Sequence, residues 1–236
     1  QRSPSAAAPA SDLMPRLLPA PRELVSVGVP QRFQTTIGFE GLRADADRSA
    51  AREFVEAMRE RGIRAELNLS GRHWSVAILR RDTREAESYL TRQRLVFDPA
   101  MEAEGYILVT TADGAHLIAD SDAGVFYGLQ TLKQLFAGAG DGLRLHSVTI
   151  RDWPAMRWRG VHDDLSRGPV PTLDYQKRQI RLLAAYKVNV FSPYFEHTLA
   201  FASHPLIAPP GGAMSREEIK ELVAYAKRFH VTIIPE

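Results

Sequence analysis

Two hydrophobic rhythms divide the chain. From Asp45 to Arg61 apolar residues recur at helical spacing, with Ala51, Phe54, Val55 and Met58 on one face and Gly62 where such a helix stops. Trp74 to Leu79 is a strand candidate, and the charged stretch 82–94 predicts a surface excursion with local helix. The apolar runs Gly105–Thr110 and His116–Ala119 flank Asp113-Gly114, a pair favoured in tight hairpins. Ser121 and Asp122 supply capping oxygens for a helix that buries Val125, Phe126, Leu129, Leu132 and Phe136. Residues 33–42 and 143–151 add two further strand candidates, and Asp152-Trp153-Pro154 breaks the pattern.

Beyond Pro154 the order becomes strand, helix, strand, helix, strand. The helix from Leu173 to Ala185 turns Leu173, Ile180, Leu183 and Ala184 inward. The helix from Ser215 to Phe229 opens on a capping box, Ser215 with Glu218, and turns Ile219, Leu222, Val223, Ala226 and Phe229 inward. Short apolar strands at 187–191 and 231–236, joined by these helices, imply a parallel sheet. The expected fold class is α/β. Residues 15–152 form a small α+β domain, and 153–236 form the first three strands and two helices of a (β/α)8 barrel. A whole barrel of that kind needs about 250 residues, so this one is expected to be incomplete. Residues 1–14, rich in Ser, Ala and Pro, read as a flexible tail.

Composition narrows the function classes. The chain has 236 residues, 44% hydrophobic and 25% charged, with a net charge of +2. Its basic residues are interleaved with acids, as where Arg59 and Arg61 flank Glu60, so no nucleic-acid partner is expected. No run approaches the roughly 20 apolar residues of a membrane span, so no membrane partner is expected either. The absence of cysteine excludes disulfides, thiolate metal sites and a cysteine nucleophile. The seven histidines lack metal-ligand spacing, and Gly211-Gly212 is not in phosphate-cradle order, so no metal or cofactor is expected. The first residues have no apolar segment, as after removal of an export signal, and the expected location is secreted or periplasmic.

Two segments carry a resemblance to a known family. The first runs from Glu104-Gly105-Tyr106-Ile107-Leu108 through Ala123-Gly124-Val125-Phe126-Tyr127-Gly128-Leu129-Gln130-Thr131-Leu132-Lys133-Gln134-Leu135. The second comprises Trp158-Arg159-Gly160 with Asp164-Leu165-Ser166-Arg167, then Tyr186-Lys187-Val188-Asn189-Val190-Phe191, Tyr225-Ala226-Lys227 and Ile234-Pro235-Glu236. In this order they resemble glycoside hydrolase family 20, the β-N-acetylhexosaminidases. The resemblance implies a carbohydrate substrate with a terminal N-acetylhexosamine, removed by retaining hydrolysis. In that chemistry the sugar's own acetamido oxygen is the nucleophile, in place of the usual enzyme carboxylate.

The same resemblance implies site residues. Arg159 matches the arginine that grips sugar hydroxyls, a role suited to several fixed donors; its structural alternative is to close the barrel floor or pair with Asp163 or Asp164. Asp164 and Arg167 match as well, either as ligand contacts or as a pair that holds the first strand's loop. Glu196 follows the second strand and faces a sugar, orients Arg159, or is solvated. It lies in Tyr194-Phe195-Glu196-His197-Thr198, which is similar to a Tyr-x-Glu-Asp-Thr branch with His197 in the acid's place. His162 with Asp163 reads as a loop pair, and Glu236 has a family counterpart. The family's adjacent Asp-Glu pair after the fourth strand has no match, because no Asp-Glu dipeptide occurs in the sequence. The chain alone is therefore expected to be inactive, with no catalytic residue assigned in it, and to self-associate through an open barrel edge. A non-catalytic carbohydrate-binding or interaction module derived from such an enzyme remains the alternative. A related N-acetylglucosaminidase or glucuronidase family fits less well, given the segment from Arg159 to Arg167.

Overall fold

The computed structural model describes residues 14–69, 73–208 and 211–236, in two compact units that meet in sequence at Pro154 and Ala155. Apart from Met14, the expected tail lies outside the described residues.

The first unit is a mixed sheet with helices on both faces. Its elements are β1 (Glu23–Ser26), β2 (Gln31–Arg32), β3 (Ile37–Glu40), α1 (Asp45–Glu60), β4 (Trp74–Arg80), α2 (Arg84–Gln93), β5 (Tyr106–Thr110), β6 (Gly114–Ala119), α3 (Asp122–Leu135), β7 (Phe136–Ala137), β8 (Arg144–Leu145) and β9 (Val148–Asp152). Six strands run in the order β1-β9-β5-β6-β4-β3. The β3, β4 and β6 ladders are parallel, and those joining β6, β5, β9 and β1 are antiparallel. A second small sheet has the order β2-β8-β7.

Local chemistry sets these elements. Helix α1 buries Ala50, Ala51, Phe54, Val55 and Met58, and it ends where Gly62 takes a φ of +74°, a left-handed value that glycine adopts without a Cβ penalty. The side chain of Ser121 accepts a hydrogen bond from the Gly124 amide and starts α3. Helix α3 lies so close to the sheet that a Cβ at Gly124 would sit 2.4 Å from the Gly105 carbonyl oxygen. One at Gly128 would sit 2.3 Å from a methyl of Leu117. The face opposite α3 is covered by α2, where Ala86, Tyr89 and Leu90 pack on Met101, Ile107 and Ile118. At the edge of the core, Phe33, Trp74 and Phe136 meet edge to face, with centroids 5.0 to 5.8 Å apart.

Two buried polar groups of this unit carry defined partners. Asp47 is fully buried and accepts hydrogen bonds from Arg80 and from the Ala44 amide, while Arg80 also reaches Asp122. The Tyr106 hydroxyl donates to Asp152 at 2.9 Å and shares a hydrogen bond of 2.6 Å with Thr131. Burial first, then the Asp152 charge, raises the Tyr106 pKa well above that of a free tyrosine.

The second unit contains β10 (Gly160–Asp164), α4 (Leu173–Ala185), β11 (Val190–Tyr194), α5 (Arg216–Arg228) and β12 (Thr232–Ile233). The three strands are parallel in the order β10-β11-β12. Hydrogen bonds from the amides of Ile234 and Glu236 to Phe191 and Pro193 continue the last ladder to Glu236. Capping follows the sequence pattern: Thr172 caps α4, and Ser215 and Glu218 complete the capping box of α5. Two details differ from expectation. The second strand begins at Val190 because Lys187 takes a φ of +61° and closes a turn onto Ala184. Val223, expected inward, is 46% exposed, and Leu222, Ala226 and Phe229 carry the buried stripe.

Alternation gives the second unit's sheet two different faces. Asp163 accepts a hydrogen bond from Gln179 of α4, which marks its face as the helix side; Phe191 is fully buried. His162 and Asp164, with Ser192 and Tyr194 opposite them in register, occupy the other face. His162 and Ser192 hold its middle, and Asp164 and Tyr194 its carboxyl end.

Candidate active site

Parallel strands between helices place ligand chemistry at their carboxyl ends. At the end of β10 both the amide and the hydroxyl of Ser166 donate to one oxygen of Asp164, at 2.9 and 2.6 Å. The other oxygen lies 3.7 Å from the Arg167 guanidinium. The Ser166 hydroxyl, ahead of the charges of Arg167 and His162, holds the Asp164 carboxyl below the usual carboxylate range. Asp164 is thus ionised and turned toward its own loop.

At the end of β11 the backbone makes a tight turn. Glu196 has a φ of +49°, a conformation that costs an L residue about 1–2 kcal/mol. Its neighbours hold it there. The amide and hydroxyl of Thr198 both donate to the Phe195 carbonyl, at 2.8 and 2.6 Å, and Phe195 and Thr198 are buried. The Phe195 amide in turn donates to the Glu236 carbonyl at 2.8 Å. Glu196 therefore stands exposed on a turn that its buried neighbours fix, with His197 3.7 Å from its carboxylate.

The open face of the sheet carries a polar row. The Ser192 hydroxyl donates to one oxygen of Glu236 at 2.7 Å, and the other oxygen lies 3.8 Å from Nδ1 of His162. The Tyr194 and His162 rings are 6.3 Å apart. Sequence reasoning gave these residues little weight. The available signal was the period of two, which puts His162 with Asp164 and Ser192 with Tyr194.

Arg159 lies elsewhere. It precedes β10, at the amino end of the sheet, about 16 Å of extended backbone from Asp164. Its guanidinium donates to the carbonyls of Lys187 at 2.7 Å, Met156 at 2.8 Å and Arg157 at 3.2 Å, and its amide donates to the Asn189 side chain at 2.8 Å. The structure thus brings Asp164 and Glu196 to one end and sets Arg159 at the other. Among the described residues no cluster of His, Asp and Glu is arranged to hold a metal ion.

Comparison with known proteins follows the same division. Residues 14–153 match the family model for glycosyl hydrolase family 20, domain 2. A β-N-acetylhexosaminidase of Cellulomonas fimi is 31% identical over 71% of this chain and 36% of its own length. A β-hexosaminidase of Akkermansia muciniphila is 30% identical over 67% of this chain and 35% of its own. The chain thus spans about a third of these relatives' length. Among solved structures, a mutant Streptomyces plicatus β-hexosaminidase in complex with its product GlcNAc superposes with a TM-score of 0.73. That pair is 25% identical and covers 97% of this chain and 47% of the other. A family model matched across the whole mixed-sheet unit, and relatives and a solved fold that continue into the parallel one, show that the chain belongs to glycoside hydrolase family 20.

Proposed function

We propose that the protein carrying this chain removes terminal N-acetylhexosamine from β-linked glycans by substrate-assisted retaining hydrolysis, and that this chain supplies the small domain (15–152) and the start of the barrel (153–236). The observation that carries the reading is the parallel βαβαβ unit, which gathers Asp164, Tyr194 and Glu196 at its carboxyl ends in a family of β-hexosaminidases. The three strands then are the first three of a (β/α)8 barrel, with the polar face turned toward the barrel axis. Glu196 and Asp164 are the proposed sugar-side residues. Arg159 is a positioning residue, which acts on the sugar through the strand it anchors.

The chemistry in this reading has two demands. As the acetamido oxygen attacks the anomeric carbon, an acid protonates the departing glycosidic oxygen, and a carboxylate orients the acetamido group as positive charge develops on it. The reading assigns both groups to the part of the family's length that this chain does not span, since no Asp-Glu dipeptide occurs here. An aryl N-acetyl-β-hexosaminide tests it. The whole protein should release the aryl alcohol and the present chain alone should not. Absence of turnover by the whole protein refutes the functional reading, and turnover by the isolated chain refutes the assignment of the acid. The isolated chain should also self-associate, because β10 and β12 are the outer strands of this sheet among the described residues, and an outer strand is a template for pairing. A strictly monomeric mass by light scattering over a range of concentrations would count against that.

A further inference from the structure

We propose that His162 and Glu236 form a clamp for a hydroxyl of the terminal sugar ring, and so set substrate specificity; this rests on the functional reading above. Geometry separates the pair from an ordinary surface ion pair. The Nδ1 to Oε2 distance of 3.8 Å is too long for a direct hydrogen bond, and both side chains are about half exposed, at 54% and 53%. Exposed pairs at such a distance add little to stability. Yet Glu236 is held with care. Its amide donates to the Pro193 carbonyl at 3.0 Å, its carbonyl accepts from the Phe195 amide at 2.8 Å, and Ser192 fixes one carboxylate oxygen at 2.7 Å. The second oxygen is left facing the imidazole across the gap.

A hydroxyl beside that gap can donate to the Glu236 carboxylate and accept from the imidazole N–H, at about 2.8 Å from each. A neutral donor-acceptor group such as an alcohol satisfies both sides; an ammonium or a carboxylate satisfies only one. The Tyr194 ring stands next along the same face and offers an apolar surface to the sugar's C–H groups. The Phe195 amide, bonded to Glu236, opens the turn that carries Glu196, so clamp and carboxylate are held by one backbone connection.

The test uses the whole protein with His162→Ala, Glu236→Gln and the double variant. Each single change should raise KM for an aryl N-acetyl-β-hexosaminide, and the inhibition constant of GlcNAc, by about tenfold, with kcat changed less and melting temperature nearly unchanged. Aryl substrates lacking the 3-, 4- or 6-hydroxyl identify the contact. One of them should lose about tenfold on the native enzyme and almost nothing on Glu236→Gln. Native KM and GlcNAc inhibition in both variants, or unchanged deoxy penalties, would overturn the clamp. If the native protein shows no turnover, the functional reading fails. Calorimetric titration of GlcNAc into the native and Glu236→Gln proteins then decides the clamp separately: equal affinity, or no binding to either, overturns it.

Discussion

Removing one oxygen tests the account of the first unit: Tyr106→Phe. The hydroxyl is buried, donates to the Asp152 carboxylate and is shared with Thr131. A hydrogen bond to a charged group contributes about 1.5–3 kcal/mol, and the variant leaves Asp152 one donor short in a nearly buried position. A loss of about 2 kcal/mol is expected, or about 4–8 °C in melting temperature for a unit of this size. The pH dependence adds a second reading. Burial, then the Asp152 charge, raises the Tyr106 pKa in the folded chain, whereas an unfolded tyrosine ionises near pH 10. The folded form therefore binds its proton more tightly. That stabilisation is complete below about pH 10 and is lost as pH rises further. Denaturant melts between pH 7 and 11 should show the native chain losing stability more steeply than Tyr106→Phe in the alkaline range. A loss below about 0.5 kcal/mol at pH 7, with identical alkaline slopes, would refute the reasoning.

Other changes probe separate features. Gly124→Ala should destabilise the chain by about 2 kcal/mol or more, measured by denaturant melts, because its Cβ would meet the Gly105 carbonyl oxygen at 2.4 Å, where no flexible side chain can move aside. Glu196→Gly should leave stability unchanged or up to about 1 kcal/mol higher, since glycine accepts the left-handed turn but is freer when unfolded. The same change in the whole protein should lower kcat/KM, which separates what Glu196 displays from what it costs the fold. Ser166→Ala should raise the Asp164 titration midpoint toward an ordinary carboxylate, as followed by NMR, because it removes the leading cause of its depression.

The helices were legible because their stripes and caps are local properties. Met58, Leu132, Ile180 and Leu222 are buried as their spacing requires, and Ser121 and Ser215 cap as expected. Strand β1 was not legible. Its Val25 is 62% exposed, so it becomes a strand through pairing with β9 rather than through a pattern of its own. At the candidate site, motif spacing located Asp164 and Glu196 at the strand ends. It could not tell where the Arg159 guanidinium points, because that depends on a carbonyl presented by the left-handed turn at Lys187. Nor could it show that Glu236 reaches His162, since their meeting requires two parallel crossovers to close first.

One amide side chain decides which way this surface looks. Asn189 accepts from the Arg159 amide and donates to the Arg157 carbonyl, both at 2.8 Å, and so indexes one strand against its neighbour. A slip of β10 by a single position would exchange that strand's faces, sending His162 and Asp164 beneath the helices and bringing Val161 and Asp163 into the open. The orientation of the second unit's polar face thus depends on an indexing pin at the amino end of the strands, away from the carboxyl ends that carry Asp164 and Glu196.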